Sequence, residues 1–184
     1  YCSSGGWFYG MTTGLLHKHV DLRRRQYAVA NDPGRCLSLA RRFVQAKIAN
    51  CRTLLRRNHR AAPETVIQDM KRDQVQAGVV ESLESLLGVE GTAARRYFSE
   101  FAGMLKEAEP GARFDFEGRN RRPPRDPVNA MLSLLYSMLA REWTVTLQSV
   151  GLDPYLGFYH QARYGRPALA LDIMEEFRPL VVDS

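Results

Sequence analysis

Three things are scarce in this chain of 184 residues, and each scarcity removes a class of protein. No apolar run is long enough to cross a bilayer, and no charged leader followed by an apolar stretch opens the chain, so a membrane span and a secretory signal are both excluded from the reading. Cysteine is limited to Cys2, Cys36 and Cys51, an odd number without metal-site spacing and with two members inside an apparent helix. Reduced thiols in a cytoplasmic protein are the expectation. Acid is nearly absent from the first 60 residues, which carry twelve Lys and Arg against two Asp, net +10, whereas the remainder carries fourteen against eighteen, net −4. A basic block beside an acidic one points to a polyanion held by the first and a cation held by the second, and nucleic acid fits both. The opening YCSSGGWFYG lacks an initiator Met and FRPLVVDS closes directly after an apolar helix, so both ends read as cuts through a longer protein.

What is present is organised around Gly151 to Pro179, GLDPYLGFYHQARYGRPALALDIMEEFRP. Gly151, Asp153-Pro154 and Gly157 punctuate a turn, Gly165 and Arg166-Pro167 stop the chain again, and Ala168 to Leu171 restarts it as a helix, leaving His160 between two breaks. On that helix Asp172, Glu175 and Glu176 fall at i, i+3 and i+4 and share a face, while Leu169, Leu171, Ile173, Met174 and Phe177 fill nearly all the remaining arc. A helix apolar round most of its circumference is buried, and carboxylates buried with it need a cation, a proton or hydrogen bonds. A metal would serve, and so would arginines such as Arg163, Arg166 or Arg178.

Upstream, Tyr1 to Leu16 reads as the end of a β region turning at Gly5-Gly6, with His17 and His19 as surface residues. A short helix from Asp21 to Ala30 ends at the turn Asn31-Asp32-Pro33-Gly34, and a second helix starts near Arg35. In that second helix Leu37, Ala40, Val44, Ile48, Cys51 and Leu55 step by three or four as a buried stripe. Its other face carries Arg41, Gln45, Arg52 and Arg56 along one line, with Arg42, Lys47, Arg57 and Arg60 nearby. A face without carboxylates on its own helix is either simply solvated or set against phosphates. The next helix is read from Glu64 to about Leu87, interrupted by Gly88, and another opens at Val89-Glu90-Gly91. There Glu90, Ala94, Tyr97, Phe101 and Leu105 share one side, so Glu90 either heads into the interior or complements the dipole of a first turn. Glu107 to Asp126, with five arginines, is a long loop or the lining of a substrate channel. Asp126-Pro127 caps a helix running to about Val150, the longest apolar one and the expected centre of the core, with Asn129 and Tyr136 its polar exceptions.

With these residues laid out, the sequence resembles the CRISPR-associated spacer integrase family, the adaptation endonucleases called CRISPR-associated protein one. The resemblance rests on LLGVEG around Glu90, FEGRNRRPPRDPVNAMLS from Phe116 to Ser133, GLDPYLGFYH ending at His160, and GRPALALDIMEEFRP from Gly165 to Pro179, in that order. It implies a mainly α fold, with residues 1–20 the last strands of a small β-rich lobe and residues 21–184 a helical catalytic lobe. It implies a catalytic Mg2+ or Mn2+ held by Glu90, His160 and Glu175, the last standing where some members carry Asp. Asp172 would support that site, Asn129 and Tyr136 would face its cleft, and Arg166 would lie near the reacting phosphate. The implied reaction joins the 3′-hydroxyl of a short DNA fragment to the repeat backbone by transesterification. The implied partners are double-stranded DNA with 3′ ends, a second copy in a homodimer, a small companion adaptation protein, and in some members a fused or associated end-trimming nuclease.

The residues speak for the same chemistry without the resemblance. Two carboxylates and an imidazole with no thiolate suit Mg2+ or Mn2+ rather than zinc. Arg121 and Arg122 in the loop and Arg41, Arg52 and Arg56 on the basic helix are the candidate phosphate contacts. Two readings compete: a metal-dependent nuclease that does not integrate, and a non-catalytic helical DNA-binding scaffold whose acidic seam is salt-bridged.

Overall fold

The computed structural model describes residues 4, 10, 12, 18–105, 116, 118–120 and 123–184, and within them the chain is mainly α. The expected β region from residue 1 to 16, apart from residues 4, 10 and 12, lies outside the described residues, as do His17 and most of the loop from 107 to 126, including Arg121 and Arg122.

Helix α1 spans Val20–Ala30 and α2 spans Pro33–Asn58. The turn between them has a chemical cause: the Asp32 carboxylate accepts from the Arg35 amide at 3.1 Å, and Pro33 occupies the first turn, where an N–H would have no partner. Over its 26 residues α2 buries Ala40, Val44, Ile48, Cys51 and Leu55, at the three- and four-residue steps that keep them on one side. Each Leu or Ile so buried stabilises the fold by about 2 kcal/mol. α2, and not the helix expected from the Pro127 signal, is the centre of the molecule, packing against α1, α3, α4 and α6.

Helix α3 spans Glu64–Ala77 and α4 spans Leu83–Ser99, followed by a single 3-10 turn at Phe101–Met104. The break between α3 and α4 therefore falls about ten residues before Gly88, which lies inside α4 together with Gly91. Its cause is tertiary. At Gly78 a Cβ would come within 2.5 Å of the Gln45 amide on α2, so the chain turns where two helices touch, and the Ser82 hydroxyl then caps α4 by accepting from the Ser85 amide at 3.1 Å. Glu90 consequently sits in the middle of α4. The alternative that it complements the dipole of a first turn is thereby removed.

Helix α5 spans Pro127–Ser149, with the Asp126 carboxylate accepting from the Asn129 amide at 2.7 Å, and α6 spans Ala168–Val181. α5 packs on α6, and α6 lies in turn on α2. Val128, Leu132 and Tyr136 of α5 reach the main core, whereas Leu147, Leu169 and Ala170 form a smaller one with Trp143 and Phe158. The site lies where α2, α4 and α6 meet, and no helix of the described residues is long and apolar enough to cross a membrane.

Candidate active site

The segment Gly157 to His160 is fastened to α6 through one side chain. Asp172, wholly buried, accepts from the amides of Phe158 at 2.6 Å, Tyr159 at 3.0 Å and His160 at 2.8 Å, and His160 Nδ1 lies 2.8 Å from Asp172 Oδ1. Three backbone N–H groups stabilise the carboxylate and explain how a charged group is tolerated there. Gly157 makes the approach possible, since a Cβ would stand 2.8 Å from both the Ala168 carbonyl carbon and Asp172 Oδ2. With Nδ1 held by a carboxylate, His160 presents Nε2, which lies 3.9 Å from Glu175 Oε1. An imidazole whose far nitrogen is anchored in this way is oriented as metal-binding or base-forming histidines are.

One turn further along α6, Glu175 is buried at 4% exposure and is surrounded by cations. Arg178 Nη1 grips both of its oxygens, at 2.8 and 3.0 Å, and Lys47 Nζ of α2 lies 2.6 Å from Oε2. The same ammonium bonds Glu90 Oε1 of α4, so Lys47 bridges the two carboxylates. Burial alone would raise the Glu175 carboxyl, but Lys47 and Arg178 outweigh it and pull it down to about 2. Burial alone would lower the Lys47 ammonium, and Glu175 and Glu90 together raise it instead. Lys47 was expected on the solvent-facing basic side of its helix. It is turned inward, and the signal was its place three residues after Val44 and four before Cys51, within the apolar stripe.

Arg178 also lies over the ring of Tyr136, 4.1 Å from its centroid, with Arg119 at 5.4 Å. The Tyr136 hydroxyl donates to Asp183 Oδ1, and the Tyr97 hydroxyl donates to Oδ2 at 3.0 Å. Desolvation raises both phenols and outweighs these bonds to raise Asp183 as well. Asn129 is fully buried: its amide nitrogen donates to the Gly118 carbonyl at 2.9 Å and to Asp126, and its oxygen accepts from the Asn120 amide at 3.0 Å and from Arg119 at 2.7 Å. It clamps the 118–120 segment and does not touch the carboxylate cluster. Tyr136, Arg178 and His160 border an open groove of about 830 Å³ whose rim carries Arg119, Arg163 and Arg166.

The basic face of α2 divides in two. Arg41 donates to the Val80 carbonyl at 2.8 Å and Gln45 donates to the Gln74 carbonyl at 3.3 Å, so this end of the expected exposed line is packed against the α3–α4 connection. Arg52 is half-buried and Arg56 exposed.

As they stand, no three His, Cys, Asp or Glu side chains among the described residues are gathered closely enough to hold an ion. The donor chemistry nonetheless suits Mg2+ or Mn2+. Glu90 and Glu175 already converge on one cation, the Lys47 ammonium, and His160 Nε2 faces Glu175. Beside them the buried Tyr159 hydroxyl lies against Glu90, and burial followed by the Glu90 and Glu175 charges raises its pKa.

Comparison with known proteins gives this arrangement a family. The chain is 56% identical over 191 residues to a CRISPR-associated exonuclease Cas4/endonuclease Cas1 fusion of Geobacter sulfurreducens, matching all of this chain but 34% of that relative. Among solved structures, a casposase bound to integration product superposes with a TM-score of 0.77 at 27% identity, covering 94% of this chain and 48% of that one. A partial Cas6-RT-Cas1–Cas2 complex superposes with a TM-score of 0.77 at 32% identity, covering 96% of this chain and 53% of that one. The model of the family described as CRISPR associated protein Cas1 matches residues 1–184, and the chain belongs to that family.

Proposed function

We propose that this chain carries the active site of a metal-dependent DNA integrase of CRISPR adaptation, which joins the 3′-hydroxyl of a short DNA fragment to a repeat by transesterification. The observation that carries this reading is the convergence of Glu90 and Glu175 on one cation beside an imidazole whose Nδ1 is anchored by Asp172. Glu90, His160 and Glu175 would hold Mg2+ or Mn2+, which when bound polarises a phosphodiester and stabilises charge on the attacking and leaving oxygens. The chain's own part is to keep Glu175 ionised through Lys47 and Arg178, to aim His160 Nε2 through Asp172, and to offer phosphates Arg163 and Arg166 at the groove. The bound product of the similar casposase supports DNA joining, and the fused and complexed relatives support a Cas2-like companion and an end-trimming nuclease as partners. A homodimer on double-stranded DNA belongs to the same proposal.

The test is strand transfer with labelled DNA bearing either free or blocked 3′ ends, in Mn2+ and in chelator. Joining should need the free hydroxyl and the metal, and His160→Ala or Glu90→Ala should reduce it by about 10³-fold, the scale of removing an electrostatic catalytic group. Hydrolysis that persists with blocked ends, without joining, would leave a nuclease. One observation favours the scaffold reading instead: Glu175 is already paired with two cations and needs no metal to be buried. Joining that is equal in chelator and in Mn2+ would decide for it.

A further inference from the structure

Lys47 keeps Glu175 ionised, but its position raises a second question, because it occupies the place a metal would need. Its stem runs between Val44 and Ile48, both buried, and its side chain is only 12% exposed. It comes from α2, whereas its two partners come from α4 and α6, so three helices are joined at one nitrogen. The ammonium stands at the point where the Glu90 and Glu175 oxygens converge. A Mg2+ ion ligated by those oxygens needs bonds of about 2.0–2.1 Å, and the same point cannot also hold Nζ. With Arg178 included, Glu90 and Glu175 form with their two cations a cluster that is neutral without any metal, while the Asp172 carboxylate is turned to His160 and three backbone amides. A neutral cluster has little long-range attraction for a divalent ion, and Coulomb repulsion opposes adding one beside an ammonium that stays in place.

We infer that Lys47 is a resident counter-ion: it holds Glu90 and Glu175 together in the metal-free protein, and a divalent ion binds only by displacing it. This rests on the metal-holding role proposed above for the two glutamates. Displacement makes the ammonium and the metal competitors for one pair of carboxylates, so Lys47 lowers metal affinity by the strength of its own two ion pairs. It also leaves a positive surplus of Lys47 and metal at the mouth of the groove, which an anionic DNA backbone would neutralise. The residue would thereby weaken metal binding in the DNA-free protein, and DNA would relieve that restraint.

The experiment is a titration of the DNA-free protein with MnCl2, followed by calorimetry and by the loss of the free Mn2+ electron-spin signal. Lys47→Met keeps the unbranched stem while removing the charge. It should bind Mn2+ about tenfold more tightly than the parent, in the range of measured couplings between ligands. Equal or weaker binding by Lys47→Met overturns the inference and leaves the metal site standing. No binding by either protein overturns both. Should Lys47→Met fail to fold, the parent protein answers alone through acetylation of its lysines, read by mass spectrometry. Labelling of Lys47 should rise several-fold on saturation with Mg2+, while that of the exposed Lys71 stays constant. A Lys47 equally protected with and without Mg2+ overturns the displacement.

Discussion

Two carboxylates flank Arg178, and their surroundings drive them in opposite directions. Glu175 lies against an ammonium and a guanidinium and is held down to about 2, while Asp183 lies against two phenols and is raised. Burial opposes ionisation in both. Full charges at 2.6 to 3.0 Å reverse it for Glu175, whereas the Tyr97 and Tyr136 hydroxyls do not reverse it for Asp183, even with Arg178 nearby. A carboxylate kept ionised by cations retains the charge that a metal ligand needs, and can exchange one cation for another. A carboxyl bonded by hydroxyls is the kind that holds two aromatic rings in place.

Breaking each carboxylate separately tests that contrast. Glu175→Gln leaves the Lys47 and Arg178 charges facing a neutral amide inside the protein, and should cost about 3–5 kcal/mol in urea unfolding, the scale of a broken buried pair. Asp172→Asn is an intermediate case. Its carboxylate accepts only from N–H groups, so an amide NH2 must face donors whichever way it turns, at about 3 kcal/mol. Acid sharpens the comparison without mutation. A carboxyl depressed from its ordinary 4.5 to about 2 contributes stability that is complete above 4.5 and disappears as pH falls toward 2, amounting to about 3 kcal/mol in this case. Asp183, being raised, has the opposite sign: its protonation favours the folded state as pH falls, so Asp183→Asn should make the acid limb of the stability curve steeper. The smallest effect expected is that of Asp183→Asn at neutral pH, about 1 kcal/mol, because the amide oxygen can still accept from a phenol. A loss equal to that of Glu175→Gln would erase the distinction.

How far the sequence could be read depended on whether the cause of a feature was local. The cap at Asp126-Pro127 acts within four residues and opens its helix where the pattern predicts, whereas Asp32-Pro33, read as part of a turn ahead of a helix near Arg35, caps α2 two residues earlier. The turn at Gly78 depends on Gln45 of another helix, whereas Gly88 has nothing within 4 Å of where its Cβ would be, so the glycine that ends a helix was the one without a local signature. The burial of Asp172 and Glu175 followed from the apolar circumference of α6. Of their partners, Arg178, three residues from Glu175 on the same helix, was legible, whereas Lys47 is 128 residues away and charge patterning along one helix reports only neighbours on that helix. For the same reason Arg41 read as a phosphate contact, while its partner, the Val80 carbonyl, belongs to a segment 39 residues away.

The Tyr136 ring has a consequence for whatever enters the groove. Two guanidiniums lie by one aromatic plate, Arg178 at 4.1 Å and Arg119 at 5.4 Å, and the nitrogens of each are also bonded, Arg178 to Glu175 and Arg119 to Asn129 and Ser133. Arginine stems are ordinarily floppy, so the gap between two such charges wanders. Here hydrogen bonds and a shared ring hold both guanidiniums, so two positive charges stand at fixed places on the groove.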